Sequence, residues 1–414
     1  GFDAVENANP CISDQEVSPH PSCGWLHPNT RNAPLKILVV SDNPTHPPLA
    51  GNRACIVTYS QLLEEMGHEV HLLYSHRNWV QTPSELDSTR RAWGERFHLH
   101  TQSALDRLLQ IAAHRIRFPL HNGYPLDSLC PMGMSRTTAQ LATRLGVGAV
   151  IVNYWSMTKA FLHLPPTVRK ILYAHDRFSD KLQRTGGKWL STTAATEATA
   201  MDRSDVVLAI QEEEAAFFRT LTSKPVLAAF THFPVVTQYF TGRKVVLYLG
   251  GPNRPNIEGL SWFLDNAWPL VRSRDPEIRM LVGGRICREM GGYAKTENVE
   301  LQGDVERLED FYAQGDLTIN PTRTGTGLKI KTFEAMAHGK TLICHPHCAE
   351  GIFEPGTAPL SVATTPDEFA SSICHHLAEP KWLAQRCEAS IRYIESMDKF
   401  VAHQFALALS ANYA

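Results

Sequence analysis

The sequence predicts an α/β protein made of two Rossmann-like, doubly wound domains facing a cleft. Three observations carry this reading. Short apolar runs have the length and composition of strands buried on both faces, amphipathic helical stretches alternate with them, and the same pattern starts afresh about 200 residues after its first start.

Residues 1–34 hold five prolines (Pro10, Pro19, Pro21, Pro28 and Pro34) and no periodic apolar pattern, and read as an extended tail. Regular structure begins with the buried-strand run "LKILVVSD" (35–42). Asn52 can cap the following helix, whose apolar positions Ile56, Tyr59, Leu62, Leu63 and Met66 share a face and which Gly67 ends. "EVHLLY" is the next strand, which completes a β-α-β unit. "GAVIVNY" (148–154), "KILYAHD" (170–176), "DVVLAIQ" (205–211) and "PVLAAF" (225–230) continue the pattern, with helices expected at 103–118 and 135–146. The second start is "KVVLYLGG" (244–251), followed by a helix from about Asn256 to Ala267. Strands at "IRMLVGG" (278–284), "VELQGD" (299–304), "LTINP" (317–321) and "TLICH" (341–345) alternate with helices near 306–314 and 328–338. This divides the chain into a first domain at 35–235, a second at 236–396 and a final helix, 397–414, that crosses back onto the first. The link falls near 232–243, and ligands belong beyond the carboxyl ends of the strands, in the cleft.

Composition bounds the function. A chain of 414 residues can bury two cores, and 43% hydrophobic with 20% charged residues is ordinary for a globular protein. A net charge of −2, from 40 basic and 42 acidic residues, gives no nucleic-acid surface. No apolar run approaches the ~18–20 residues of a membrane span. Nine scattered cysteines, an odd number, indicate mostly free thiols in a reducing, cytoplasmic compartment, with Cys11 and Cys23 of the tail as an alternative pair. A chain opening on Gly1 rather than Met reads as a processed product or a piece of a longer protein.

The stretch "TGTGLKIKTFEAMAHGK" (324–340) carries the chemistry. Gly325 and Gly327 allow close backbone approach to a ligand, and Lys329 and Lys331 add positive charge beside a helix start, which suits a diphosphate. A tight turn with solvated lysines is the plainer alternative. Glu334 borders the buried face of that helix and needs a partner. An i,i+3 pair with Lys331 and bidentate acceptance from two adjacent hydroxyls remain equally open. "CHPHC" (344–348) has metal-ligand residue types, but consecutive strand residues point to opposite faces and no second ligand pair stands at zinc spacing. Trp25, Trp155, Trp189 and Trp262 read as packing residues, Trp155 with stacking on an acceptor sugar as the alternative. "RLLQIAAHRIRF" is basic and amphipathic, and reads first as a packed helix with solvated arginines, second as a contact to an anionic membrane.

The segments "YLGGPNRPNIEGLSWF", "LVGG" and "LQGDVERLEDFYAQGDLTINPTRTGTGLKIKTFEAMAHGKTLICHPHCAEGI" resemble the donor domain of retaining glycosyltransferases of the GT-B fold, family 4. "GHEVHLLY" and "YAHDRFSDK…STTAATEATAMDRSDVVLAIQEEEAAFF" resemble the acceptor half of bacterial members, so the similarity spans roughly 35 to 395. The resemblance implies transfer of a sugar, with retention, from a UDP- or GDP-sugar to a glycan, lipid-linked, protein or small-molecule acceptor, without a metal. It implies that Glu334 holds the ribose hydroxyls. The loop of Gly325, Thr326, Gly327, Leu328 and Lys329 would meet the diphosphate and sugar. Gly51, Gly251 and Arg254 would line the donor site, with His175, Asp176 and Lys329 as catalytic residues. Glu350 and Gly351 would lie near the donor, and Arg53 either reaches the cleft or sits on the outer helix face. Thr326 stands where many members have a sugar-binding glutamate, which makes a non-catalytic binding relic an alternative, and an epimerase on the same fold is another.

Overall fold

The computed structural model describes residues 33–48, 51–77, 79–236, 238–325 and 330–410. Nearly all of the expected tail, with Cys11, Cys23 and Trp25, lies outside the described residues, as do Thr326, Gly327, Leu328 and Lys329.

The first sheet contains β1 (Lys36–Ser41), β2 (Glu69–His76), β3 (Phe97–Thr101), β4 (Ala149–Asn153), β5 (Arg169–Ala174), β6 (Val206–Ala209) and β7 (Val226–Ala228). Its spatial order is β3-β2-β1-β4-β5-β6-β7, and every pairing is parallel. The second contains β8 (Val245–Leu249), β9 (Arg279–Gly283), β10 (Val299–Gly303), β11 (Leu317–Asn320), β12 (Thr341–Cys344) and β13 (Leu360–Val362), in the order β10-β9-β8-β11-β12-β13 and again all parallel. Each order reverses once, between β1 and β4 and between β8 and β11, and a crevice opens at such a switch point.

Two strands escaped the sequence reading. β3 is the partly exposed "FHLHT" and β13 the three-residue "LSV", edge strands without the continuous apolar run of a buried strand. The helix expected from Asn256 begins at Arg254, because Asn253 is the cap: its side chain accepts from the Asn256 N–H at 3.0 Å.

The expected crossing helix is the end of a 30-residue helix, Pro380–Leu409, about 45 Å long. Leu383 and Cys387 at its start join the core of the second sheet. Ile394, Met397, Val401 and Phe405 join the core of the first, where Phe405 stacks on Tyr59 and Tyr173 with ring centroids 5.7 and 6.1 Å away. Phe333, Met336 and Ala337 of the helix Ile330–Ala337 belong to that same core, so the two halves share buried surface. The Arg169 Nε–H donates to the Ala408 carbonyl at 3.0 Å and ties down the helix end. The link is anchored at both ends: Asp398 faces His232 and accepts from the Phe233 N–H, and Asp316 accepts from the Thr241 and Gly242 amides. No described helix is long and apolar enough to cross a membrane, and the seven described cysteines are free.

Candidate active site

The residues just beyond the carboxyl ends of β4, β5, β6, β8 and β11 meet in one place, as the parallel order requires. A cleft of about 1080 Å³ lies there, lined from the first domain by Arg184, Gln211 and Glu213 and from the second by the turns after β8, β11 and β12. A smaller pocket of about 190 Å³ lies on the first-domain side, and Ile330 borders both.

Among the described residues, Lys331 is the lysine that lines the second-domain side of the large cleft. Its Nζ donates to Asn256 Oδ1 at 2.6 Å and to Tyr248 Oη at 3.1 Å, and sits 4.8 Å from the Tyr248 ring centre. Asn256 is itself fixed, since its Nδ2 donates to the Gly251 carbonyl at 3.0 Å. Burial pushes the Lys331 ammonium down to about 8. Asn256 and Tyr248 thus orient the ammonium, with Tyr248 on the strand β8 and Asn256 at the helix start that follows it. Asn320 Oδ1, at the end of β11, is buried beside the cleft with no hydrogen-bond partner among the described residues. An orphaned acceptor of this kind suits a polar ligand that supplies the missing donor.

Glu334 lies one turn along the same helix and does not line the cleft. Its Oε1 accepts from Tyr312 Oη at 2.9 Å, and burial pushes its carboxyl above the ordinary range. The i,i+3 pair with Lys331 does not form, because Lys331 turns instead to Asn256 and Tyr248. Gly325 lines the cleft with φ of +126°, a conformation that favours glycine. Gly251 supplies the carbonyl that holds Asn256. Arg254 is not at the cleft: its side chain is 87% exposed and pairs with Glu258 at 2.6 Å on the outer helix face. Position N1 of the helix points it outward, while Asn253, Pro255 and Asn256 face the ligand space.

Gly51 opens the helix Gly51–Glu65 and touches the other domain. A Cβ built there would stand 2.3 Å from Ile330 Cδ1. Gly351 does the same from the opposite side, where a Cβ would meet Gln211 Oε1 at 2.6 Å. The glycine positions mark where the two halves approach most closely. Glu350 and Gly351 both line the cleft, with Glu350 paired to His347 at 3.0 Å. Arg53 turns away and pairs with Glu85 at 2.6 Å.

His175 and Asp176 follow β5 into the smaller pocket. His175 Nε2 is 2.8 Å from Asn153 Oδ1, and Asn153 Nδ2 donates to the Val40 carbonyl at 3.1 Å. That carbonyl can only accept, which orients the amide and makes Nε2 the protonated nitrogen of His175, leaving Nδ1 as an acceptor. Burial pushes His175 down to about 3, so it is neutral at working pH. Its ring stacks on Tyr154 at 4.4 Å, and Tyr154 is held at φ +70°, a strained backbone for a bulky residue. Asp176 accepts from Lys181 Nζ at 2.9 Å, Arg184 Nη2 at 3.1 Å and the Arg177 N–H at 2.9 Å. It therefore gathers cations beside the cleft, Arg184 among them, a residue the sequence reading had not singled out. Trp155 is buried with its indole N–H donating to the Leu190 carbonyl, so it cannot stack on an acceptor. The pocket's indole is Trp189, 49% exposed and edge-on to Tyr154.

"CHPHC" does not converge: Cys344 and Cys348 are buried, while His345 Nδ1 accepts from the His347 N–H. No group of three or more His, Cys, Asp or Glu stands at metal-holding distance among the described residues.

Residues 243–379, which contain the whole second sheet, match the family model for glycosyl transferases group 1. An uncharacterized 44.6 kDa protein in the cps region of Klebsiella pneumoniae is 25% identical over 141 residues, 32% of this chain and 36% of that protein. The match thus spans about a third of the relative's length. Among solved structures, TarM superposes with a TM-score of 0.65 at 8% identity, covering 92% of this chain and 100% of TarM. HepE of Anabaena, solved with UDP, has a TM-score of 0.60 at 12% identity over 91% of this chain and 98% of its own. The fold is GT-B. Sucrose-phosphate synthase from Thermosynechococcus elongatus shares it, with a TM-score of 0.57 and 13% identity over 90% of this chain and 96% of that one. At such identities the structural likeness is one of fold, and the match over 243–379 supports a glycosyltransferase of the group 1 type.

Proposed function

We propose that this chain is a retaining glycosyltransferase of family 4 that moves a sugar from a nucleotide diphosphate sugar to an acceptor hydroxyl. The observation that carries the reading is Lys331, a cation oriented by Asn256 and Tyr248 in a cleft of about 1080 Å³ between two doubly wound domains. A nucleotide diphosphate sugar fits that space, its phosphates beside Lys331, the turn at Gly325 and the capped start of the helix Arg254–Trp262. The UDP bound to HepE supports a uridine donor here. In the same proposal the ribose reaches past the cleft lining to Glu334, one turn beyond Lys331 and only partly buried, and the loop 326–329 supplies the second diphosphate contact.

In the reaction the sugar C1–O bond to the diphosphate breaks and a bond from C1 to the acceptor oxygen forms on the same face. The acceptor proton passes to the departing phosphate oxygen. Negative charge grows on the leaving diphosphate, where an ammonium already held in place stabilises it without reorganising. Neutral His175 offers its Nδ1 to a sugar hydroxyl, and Trp189 offers an apolar ring face to the acceptor. Close approach of the halves at Gly51 and Ile330 excludes water and favours transfer over hydrolysis.

Calorimetry with UDP, GDP, ADP and TDP tests the donor site. One nucleotide is expected to bind, and Glu334→Ala to weaken it by about tenfold or more through loss of charge-assisted hydrogen bonds. If no nucleotide binds, or the variant binds as the parent does, the assignment of Glu334 falls. A second expectation concerns His175. Turnover of the donor that binds, followed as release of nucleoside diphosphate, should show no limb in the ordinary histidine range, because protonation of His175 occurs only near pH 3. His175→Ala should lower kcat about tenfold to a hundredfold with nucleotide affinity unchanged. A limb near the ordinary histidine value that His175→Ala removes would contradict the neutral, buried imidazole.

A further inference from the structure

Away from the cleft, the first domain carries an apolar helix face open to solvent. From Ala104 to His121 the chain is continuously helical, with one π turn at Ala113–Arg117, a rod of about 27 Å. Of these residues only Asp106, Ala113 and Phe118 are buried, so the helix stands proud of the domain. Leu105, Leu108, Leu109, Ile116 and Leu120 recur at helical spacing and share a face, and all are exposed, Leu108 by 62% and Leu120 by 75%. The sequence reading of a packed helix with solvated arginines is therefore corrected: the leucines are solvated too.

The charge along the exposed side of this helix has one sign. Residues 107–126 contain Arg107, Arg115 and Arg117, all exposed, and neither Asp nor Glu. The only acid of the helix, Asp106, is turned inward, where it accepts from the Ser103 N–H at 2.8 Å and the Met132 N–H at 2.7 Å. Arg107 lies over the Trp79 ring at 5.9 Å, and Val80 beside it is 62% exposed, so an indole and a further apolar side chain flank the helix.

We propose that this helix docks onto the surface of an anionic lipid bilayer, with its leucines and isoleucine at the acyl boundary and its arginines at the lipid phosphates. Protein interfaces deplete charge at their centres, whereas here arginines and aliphatic side chains interleave along one protruding helix without a counter-charge. That is the pattern of a helix lying in the plane of a membrane. The position of the helix gives the docking a use. Phe118 packs edge-on to Tyr124 at 4.9 Å, and both belong to one buried cluster with Tyr154 and Phe178, which wall the small pocket beside His175. Docking would bring that pocket to the bilayer and favour an acceptor carried on a lipid. Only this last step rests on the glycosyl-transfer reading; the docking does not.

The test is co-sedimentation of the full chain with vesicles, without nucleotide or acceptor. The chain is expected to sediment with phosphatidylcholine–phosphatidylglycerol vesicles and to stay in the supernatant with phosphatidylcholine alone. R107E/R115E/R117E should reduce partition by about a hundredfold or more, and added salt should reduce it in the parent. L108S/I116S/L120S should reduce it by about tenfold or more, because each removes a leucine or isoleucine from the acyl boundary. All six positions are solvent-exposed, and an unchanged melting temperature confirms that the variants fold. The proposal is overturned if the parent ignores anionic vesicles or the arginine variant sediments as the parent does. It is equally overturned if the apolar variant instead converts a dimer to a monomer in light scattering while vesicles bind neither protein, since a second copy then covers the face.

Discussion

Lys331→Met is expected to weaken binding of the donor nucleotide by about tenfold to a hundredfold, the worth of charge-assisted hydrogen bonds to a diphosphate. The fold should lose no more than ~1–3 kcal/mol, since methionine keeps the length of the side chain but leaves the buried Asn256 Oδ1 without its donor. Binding and stability are told apart by their pH dependences. Burial holds the ammonium at about 8 in the ligand-free fold, below its ordinary 10.5. A diphosphate requires the charged form, so parent affinity should be flat on the acid side of about 8 and fall, toward tenfold per pH unit, on the alkaline side. Stability of the ligand-free protein runs the other way. The unfolded chain binds the proton more tightly, so proton uptake favours unfolding, and stability from this residue should rise between about 8 and 10.5. Calorimetry and thermal melting of parent and variant across that window check both slopes. A parent whose nucleotide affinity stays flat through it would remove Lys331 from the diphosphate site.

Asn153→Ala is expected to destabilise the first domain by about 3 kcal/mol or more, among the larger effects a point change can have. Asn153 is fully buried at the end of β4, where one amide serves three groups: the Val40 carbonyl, Tyr59 Oη at 2.9 Å and His175 Nε2. Alanine would strand all three in an apolar core, at ~1–3 kcal/mol for each that finds no new partner. It would also release the imidazole from its single tautomer, so kcat should fall together with the denaturation midpoint. Asn153→Asp is the informative companion. Its carboxylate still accepts from His175, yet it no longer donates to Val40 and adds a buried charge. Denaturant titration of the three proteins measures the effect, and a loss under 1 kcal/mol in Asn153→Ala would show that water or a rearranged Tyr59 takes over the contacts.

How far the site was legible can be read from particular residues. Gly325, Glu350 and Gly351 line the cleft, and the strand ends that carry His175 and Asp176 lie where alternating strands and helices put them. Lys331 was seen only as nearby charge, Asn256 only as the start of a helix, and Arg254 was credited with a grip it does not have at the cleft. These errors share a cause. Sequence spacing shows that a side chain is near a loop but not which way it turns, and one position along the first helical turn separates Arg254 in water from Pro255 on the cleft. The same limit offered Trp155 rather than Trp189 for stacking on an acceptor, although Trp155 is core and Trp189 lines a pocket.

The sequence by itself determined the two parallel sheets apart from the edge strands β3 and β13, and with them the place of the cleft, because buried parallel strands must be continuously apolar and their crossovers put every strand-to-helix turn at the same end. It also determined which loops could approach a ligand, through Gly51, Gly325 and Gly351. The tertiary structure alone decided which cation faces the cleft, which imidazole nitrogen is free and that the leucines of 104–121 are uncovered. Those are contacts between segments as far apart as Asn153 and Val40, or absences of contact, and neither is written in local periodicity.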